Sequence, residues 1–442
     1  MRRVLRTARQ RVGWGVADQA LSSLTNLALG VMVARNASTS EFGAFSIAFL
    51  VYVSALGLSR ALASEPLVVR FSTTSSERWG DAARSAGGAA ILLGAVIGLI
   101  CIGFGLLVGG TLGAALKPLG LMLPGLLAQD VWRFAFFARS TGSAAFLNDL
   151  VWAVVLFPAL VALTATGNST VGWVVFVWGS AATVAAIVGA VQARIVPAPG
   201  SAWSWWRSQR DLGSRYAGEF SATSGANQAA MYGIGAIAGL AAVGAVRGAD
   251  LLFGPMNVVF AGLRLTEVPH GARTLLRSKR RLYRNSLVLS AGTATIGALW
   301  GCILLLIPPS VGRSLLGETW APAWELVPAF TVMTVGRGIT LGAITGLRAL
   351  AAAKRSLRAR VISSIGVLIG GLLGAAIAGA VGAAWGFAAS TVPEVTVWWI
   401  QYRRGIADGD MDQVQEDGTP TVTSQFEGSL DPWTVDSPAD TE

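Results

Sequence analysis

The sequence predicts an all-α polytopic membrane protein, with twelve transmembrane helices in two parallel six-helix halves and a disordered acidic C-terminal tail. Three observations carry this expectation. The 442 residues are 53% hydrophobic and only 13% charged, with a mean hydropathy of +0.57, and an ordinary soluble domain carries about twice that charge. Apolar stretches of roughly 20 residues, the length that crosses a bilayer as a helix, recur along the chain. The Lys and Arg between them fall mainly on alternate loops, the bias that marks cytoplasmic loops.

The basic opening MRRVLRTARQR leads into an apolar segment interrupted by Asp18, Gln19 and Asn26. No small-residue cleavage site follows, so the segment reads as a retained first span over 13–34 rather than a signal peptide. The remaining spans are expected at 42–63, 85–109, 113–137, 145–166, 171–193, 214–237, 240–262, 284–307, 322–346, 361–379 and 381–401. With the N-terminus inside, the inner loops hold Arg70, Arg78 and Arg84, then Arg139, then Arg194, Arg207, Arg210 and Arg215. They continue with the cluster from Arg273 to Arg284, with Lys354, Arg355, Arg358 and Arg360, and end at Arg403 and Arg404. The outer loops hold Arg35, Lys117 and Arg313. An even number of spans in the cell membrane, with both termini cytoplasmic, satisfies this distribution.

Pro, Gly and clustered Trp in PAPGSAWSWWRSQR mark a cytoplasmic linker over 197–212, with Trp203, Trp205 and Trp206 suited to the membrane interface. It separates an N-terminal six-helix lobe (1–196) from a C-terminal one (213–404). Residues 405–442 hold ten acids and no base, and are expected to be a disordered cytoplasmic tail. Without that tail the chain is at about +20, which suits loops facing anionic lipid. No basic patch interleaved with aromatic residues points to nucleic acid.

An internal repeat supports the two halves. Asp18, Ser22 and Asn26 form a polar stripe at helical spacing, and Glu219, Thr223 and Asn227 repeat acid, hydroxyl and amide 201 residues later. At the same offset Gly43, Ala44 and Ala48 match Gly244, Ala245 and Ala249, and Cys101 matches Cys302. Pro66–Arg70 and Pro269–Arg273, each preceded by an acid (Glu65, Glu267), match two residues out of register. Six helices per unit make the halves parallel, related by an axis along the membrane normal.

Charged residues inside spans are expensive and face the bundle interior or water. Arg337, in TVMTVGRGITLG, has no acid within a helical turn. It either binds a phosphate-bearing ligand bidentately or pairs with an acid on another helix. Arg247 and Arg133 are further candidates for binding the substrate, or they neutralise Asp250 and Asp130, each three residues away along one helix. Arg60 and Arg264 near helix ends either snorkel to headgroups or form a basic entrance to a cavity. Asp18 and Glu219 read as first-turn acids favoured by the helix dipole, or as groups that bind a coupling proton or sodium ion. Together with Ser22, Asn26, Thr223, Asn227, Asp130 and Asp250 they form the candidate cavity lining.

No cofactor or metal is expected: the single histidine, His270, has no Cys or acid cluster around it, and no phosphate-binding Gly-Lys-Ser/Thr loop is present. Both cysteines lie in apolar spans, which argues against a disulfide framework.

GVADQALSSLTNLALGVMVAR followed by EFGAFSIAF resembles the opening of polysaccharide and O-antigen-type flippases of the multidrug/oligosaccharidyl-lipid/polysaccharide (MOP) exporter superfamily. The residues that carry the resemblance are Arg35 at the end of the first span and Glu41-Phe42-Gly43 opening the second. It covers residues 1–404 and leaves out the acidic tail. The resemblance implies alternating access between two six-helix lobes, around a central cavity lined mainly by the first, second, seventh and eighth helices. It also implies an undecaprenyl-diphosphate-linked oligosaccharide as cargo, with membrane lipid and polysaccharide-assembly enzymes as partners. The alternative within the superfamily is a cation-coupled multidrug exporter. A membrane-embedded glycosyltransferase or polymerase would need acids on a large outer loop, and only the loop near 308–325 has any (Glu318, Glu325). The expectation is therefore a transporter, not an enzyme.

Overall fold

The computed structural model describes residues 2–408; Met1 and residues 409–442, most of the expected acidic tail, lie outside the described residues. The tail's first residues continue the last helix, and Asp408 is ion-paired with Arg355 at 2.5 Å.

Described in chain order, the helices are α1 (Arg2–Asn36), α2 (Thr39–Ser59), a π-helical turn (Arg60–Ser64), α3 (Glu65–Phe71), α4 (Ser76–Val108), α5 (Gly110–Ala138), α6 (Gly142–Ala165) and α7 (Val171–Ala193). After a 3-10 turn (Pro199–Ser201) come α8 (Ala202–Ser208), α9 (Arg210–Leu252), α10 (Gly254–Arg277), α11 (Lys279–Leu305) and α12 (Pro309–Leu316). A second 3-10 turn (Gly317–Thr319) leads to α13 (Trp320–Glu325), α14 (Val327–Ala349) and α15 (Ala353–Asp408).

Ten of these runs are long and apolar enough to cross a membrane. Two of the helices reverse direction at a glycine in the left-handed region, a conformation costly for residues with a Cβ. In α9 the reversal is at Gly239 (φ 83°), and Gly235 meets Val243 across it. In α15 it is at Ala378–Gly379 (Gly379 φ 57°), and Gly374 and Gly382 lie carbonyl to Cα across it. Thus α15 contains two passes, and the second arm of α9 continues with α10 as one broken pass. Among the described residues the count is twelve.

We call the end that carries residues 197–210 the linker end and the opposite one the far end. Lipid gives helices no hydrophobic reason to associate, so close packing through small residues takes over. Gly98 and Gly120, for example, bring the backbones of α4 and α5 together. Large apolar side chains face outward, Leu107 at 86% and Ile377 at 83% exposure, as a lipid-facing surface requires.

Several boundaries differ from expectation. The segments Pro66–Arg70 and Pro269–Arg273, expected in inner loops, are helical parts of α3 and α10. Pro66 is accommodated because it opens α3 just after the π turn, where a missing N–H is tolerated. Asp18 and Glu219 do not lie in first turns, because α1 begins at Arg2 and α9 at Arg210. Trp205 is buried rather than interfacial: its indole N–H donates to the Leu62 carbonyl in the π turn (3.0 Å), and its ring lies 5.7 Å from that of Phe71. Trp203 remains exposed. The segment 308–325, expected to be a plain loop, folds into α12 and α13 and presses Gly317 onto the Arg35 carbonyl at the far end of α1.

The helices before and after the linker meet chiefly along α2 and the first arm of α9. Going from linker end to far end, Leu62 faces Gly213, Gly57 faces Phe220, Ser54 bonds Gln228 and Tyr232, and Ile47 faces Gly235. At the far end Gly43 abuts the Leu240 carbonyl and Gly244 abuts the Thr39 carbonyl. These two contacts are reciprocal under the 201-residue offset, as a local twofold axis between α2 and the second arm of α9 requires. Glu41 closes a capping box with Ser38 at the start of α2: the Ser38 N–H donates to the Glu41 carboxylate (3.0 Å) and the Glu41 N–H to the Ser38 hydroxyl (3.3 Å), which fixes the chain leading into this contact.

Candidate functional site

A cavity of about 330 Å³ opens among α9, α10, α14 and α15, with Leu50 of α2 on its rim. The volume is at the low end for ligand pockets, roughly 300–1,000 Å³. Among the described residues, three guanidiniums and two carboxylates line it: Arg247 and Asp250 from α9, Arg337 from α14, and Arg360 and Glu394 from the two arms of α15. Arg247 is bound to Asp250 at 2.6 Å and lies 5.5 Å over the Phe49 ring. The Arg360 guanidinium lies 5.9 Å over Trp398, whose indole donates to Ser363 (3.2 Å).

Arg337 is aimed into this space by its neighbours. Gly336 is packed on Thr391 of α15, and Gly338 on the Thr293–Ala294 backbone of α11. Flanked on two sides by helices in van der Waals contact, the arginine has only the cavity face left, and it is exposed there. Among the described residues no carboxylate lies within ion-pair distance of it.

A second charged cluster is buried among the helices before the linker. Arg60, in the π turn, holds Asp130 of α5 bidentately (2.6 and 2.9 Å) and lies 5.2 Å over Phe134. Arg133 binds Asp18 of α1 (2.6 Å) and, at the longer ion-pair distance of 3.6 Å, Asp149 of α6. Gln129 donates to Asp149 (2.8 Å), and Asn148 donates to the Ala185 carbonyl (2.8 Å). Two guanidiniums serve three carboxylates, and one oxygen on each of Asp18 and Asp149 has no hydrogen-bond partner.

The candidate residues therefore divide. Arg337, Arg247, Asp250 and Asn227 come together at the cavity. Arg60, Arg133, Asp130 and Asp18 belong to the buried cluster instead. The expected pairing of Asp130 with Arg133 is replaced, since each reaches a stronger partner on another helix. Arg60 is tied to Asp130 and does not snorkel. Ser22 and Asn26 are half-buried on α1, and Glu219 is exposed on α9, within electrostatic reach of Glu65. Thr223 and Arg264 lie on α9 and α10, with their side chains outside the described set. Arg133 turns Asp18 toward α5 and α6, whereas Asn227 lines the cavity, so these two members of the stripes do not share one cavity. The first, second, seventh and eighth passes were the expected walls; this cavity uses the seventh and eighth, with the tenth to twelfth.

Sequence reasoning missed Glu394 and Asp149, and placed Arg360 in a loop. A lone acid after a proline in the last span (Pro393-Glu394) is the same kind of signal as Arg337, and could have been read the same way.

No protein-family model matches the chain, and no curated protein matches it. Solved structures do. An inward-facing multidrug resistance MATE family transporter of the MOP superfamily superposes with a TM-score of 0.69 at 14% identity, over 90% of this chain and 99% of that one. The lipid II flippase MurJ in an inward closed conformation gives 0.65 at 10% identity, over 96% and 94%. An outward-facing MATE transporter gives 0.51 at 14% identity, over 91% and 96%. This chain is a multi-pass membrane protein with the fold of MOP-superfamily transporters.

Proposed function

We propose that the chain is a flippase moving a polyprenyl-diphosphate-linked oligosaccharide across the cytoplasmic membrane by alternating access, for export of cell-surface polysaccharide. The observation that carries this is Arg337, an exposed guanidinium without a carboxylate partner among the described residues, inside a cavity walled by helices of membrane-crossing length. Such a group is expensive unless a ligand uses it, and a diphosphate matches its two-pronged donor geometry. In this reading residues 1–196 and 213–404 move as lobes, the linker end faces the cytoplasm, and the far-end contacts are the closed gate.

Transport of a lipid-linked oligosaccharide into reconstituted vesicles tests it. Arg337→Ala should abolish translocation, and Arg337→Lys should reduce it by about one to two orders of magnitude, because a point charge replaces the fork. Unchanged transport in both variants would overturn the assignment.

A second reading, a cation-coupled multidrug exporter, is favoured by the likeness to a MATE transporter and by the excess carboxylate around Asp18 and Asp149. In that reading these acids take a proton or sodium ion. The compound retained by cells lacking the protein separates the two: an untransported lipid-linked oligosaccharide, or a cationic drug.

A further inference from the structure

The cavity's charges do not balance, and the imbalance has a consequence for any diphosphate that enters. Arg247 and Asp250 neutralise each other. That leaves Arg337 and Arg360 against Glu394, whose carboxyl is within electrostatic reach of both guanidiniums but in ion-pair contact with neither. With Glu394 ionised, the described groups place the empty site at one positive charge. A diphosphate esterified at both ends carries about two negative charges near neutral pH, one on each phosphorus, and has no further proton to lose. Bound beside ionised Glu394 it would leave the site one charge negative, in a layer where an uncompensated charge is costly. Bound beside neutral Glu394 it leaves the site electroneutral.

We propose that Glu394 is the cargo's internal rival for Arg337 and Arg360, and that it takes up one proton from solvent as the diphosphate binds and returns it when the cargo leaves. This rests on the reading of Arg337 given above and adds a coupling residue to it. Among the described residues, the charged and amide groups that line the cavity with Glu394 are Arg337 from α14, Arg360 from the other arm of α15, the neutralised Arg247–Asp250 pair from α9, and Asn227 and Asn257 from α9 and α10. Pro393, immediately before Glu394, removes one backbone hydrogen bond from the last pass. A change of partner at Glu394 therefore acts on the helix where it bends most easily.

The experiment is titration calorimetry of the full-length protein in detergent, with P1-farnesyl P2-N-acetylglucosaminyl diphosphate as probe, in two buffers of unlike ionisation enthalpy. Wild type should take up about one proton per ligand, and its affinity should fall up to tenfold per pH unit once the free carboxyl is ionised. Glu394→Gln should bind without proton uptake and lose that pH dependence. Glu394→Asp should restore the uptake, which shows that the variants fold and that the carboxyl is responsible. Arg337→Ala should not bind. Equal uptake in wild type and Glu394→Gln, or no uptake in either, would overturn the proposal while leaving Arg337 as the diphosphate ligand. Binding that survives Arg337→Ala, or no binding in wild type, would remove the reading of Arg337 and this inference with it.

Discussion

Replacing Gly43 and Gly244 by alanine probes the contact that holds the far end together. At each position a Cβ would overlap a backbone carbonyl, Leu240 at the first and Thr39 at the second. A flexible side chain could move aside; a helix backbone cannot, so α2 and the second arm of α9 must separate. Overpacking of this kind costs about 1–3 kcal/mol, which shifts the equilibrium between closed and separated far ends by about 5- to 150-fold. The two positions share one interface, so the double variant should fall short of the sum. Nitroxide labels at Asn36 and Glu318, both exposed and on opposite sides of the contact between Arg35 and Gly317, report the separation as a distance distribution. Cys101 and Cys302 are replaced beforehand. Wild type should give one short distance, and Gly43→Ala or Gly244→Ala a second, longer one. Gly103→Ala serves as control, because a Cβ there meets open space. A wild-type distribution in both test variants would refute the claim that these glycines set the far-end contact.

Two further outcomes follow from the ion pairs. Arg60→Ala leaves Asp130 buried without its guanidinium and should destabilise the protein by about 3–5 kcal/mol, with Arg60→Ala/Asp130→Ala milder than the single change, as thermal unfolding in detergent would reveal. Desolvation pushes the Asp211 carboxyl up, but the Arg70 hydrogen bond, the backbone amides at Asp211 and Leu212 and the Arg70 charge outweigh it and hold the carboxyl below its ordinary value. A carboxyl depressed in this way keeps its contribution above the unfolded value, about pH 3.9, and loses it as pH falls through the lower folded value. Labels across α3 and the start of α9 should therefore show no change between pH 8 and pH 5, whereas Asp211→Asn should loosen the contact at every pH.

The repeat shows how far sequence reading reached. Gly43 and Gly244 were legible as a match 201 residues apart. What they do was not, because each is explained by a carbonyl on the other helix. Arg337 was legible as a charge in an apolar span, and its cavity was not, since Arg360 and Glu394 come from two arms of a helix that reverses at Gly379. The stripe Asp18-Ser22-Asn26 was legible as one polar face, but the ion-pair cluster that its acid joins was not. Helical spacing says which residues share a face of α1, but the partner that turns that face inward, Arg133, lies on α5.

By itself the sequence made legible the number of passes and the helical class, and it set the expectation of their orientation. Those properties follow from free energies that act locally: the transfer of about twenty apolar residues into lipid, backbone hydrogen bonds that must close within each segment, and the attraction of basic loops to one leaflet. Only the tertiary structure decided which of the described charges neutralise each other and which do not. An ion pair in low dielectric is worth having only at contact distance, and contact is set by helix crossings and glycine approaches that no local pattern encodes. Asp130 and Arg133 are three residues apart and bind different helices, whereas Arg60 and Asp130 are seventy residues apart and touch.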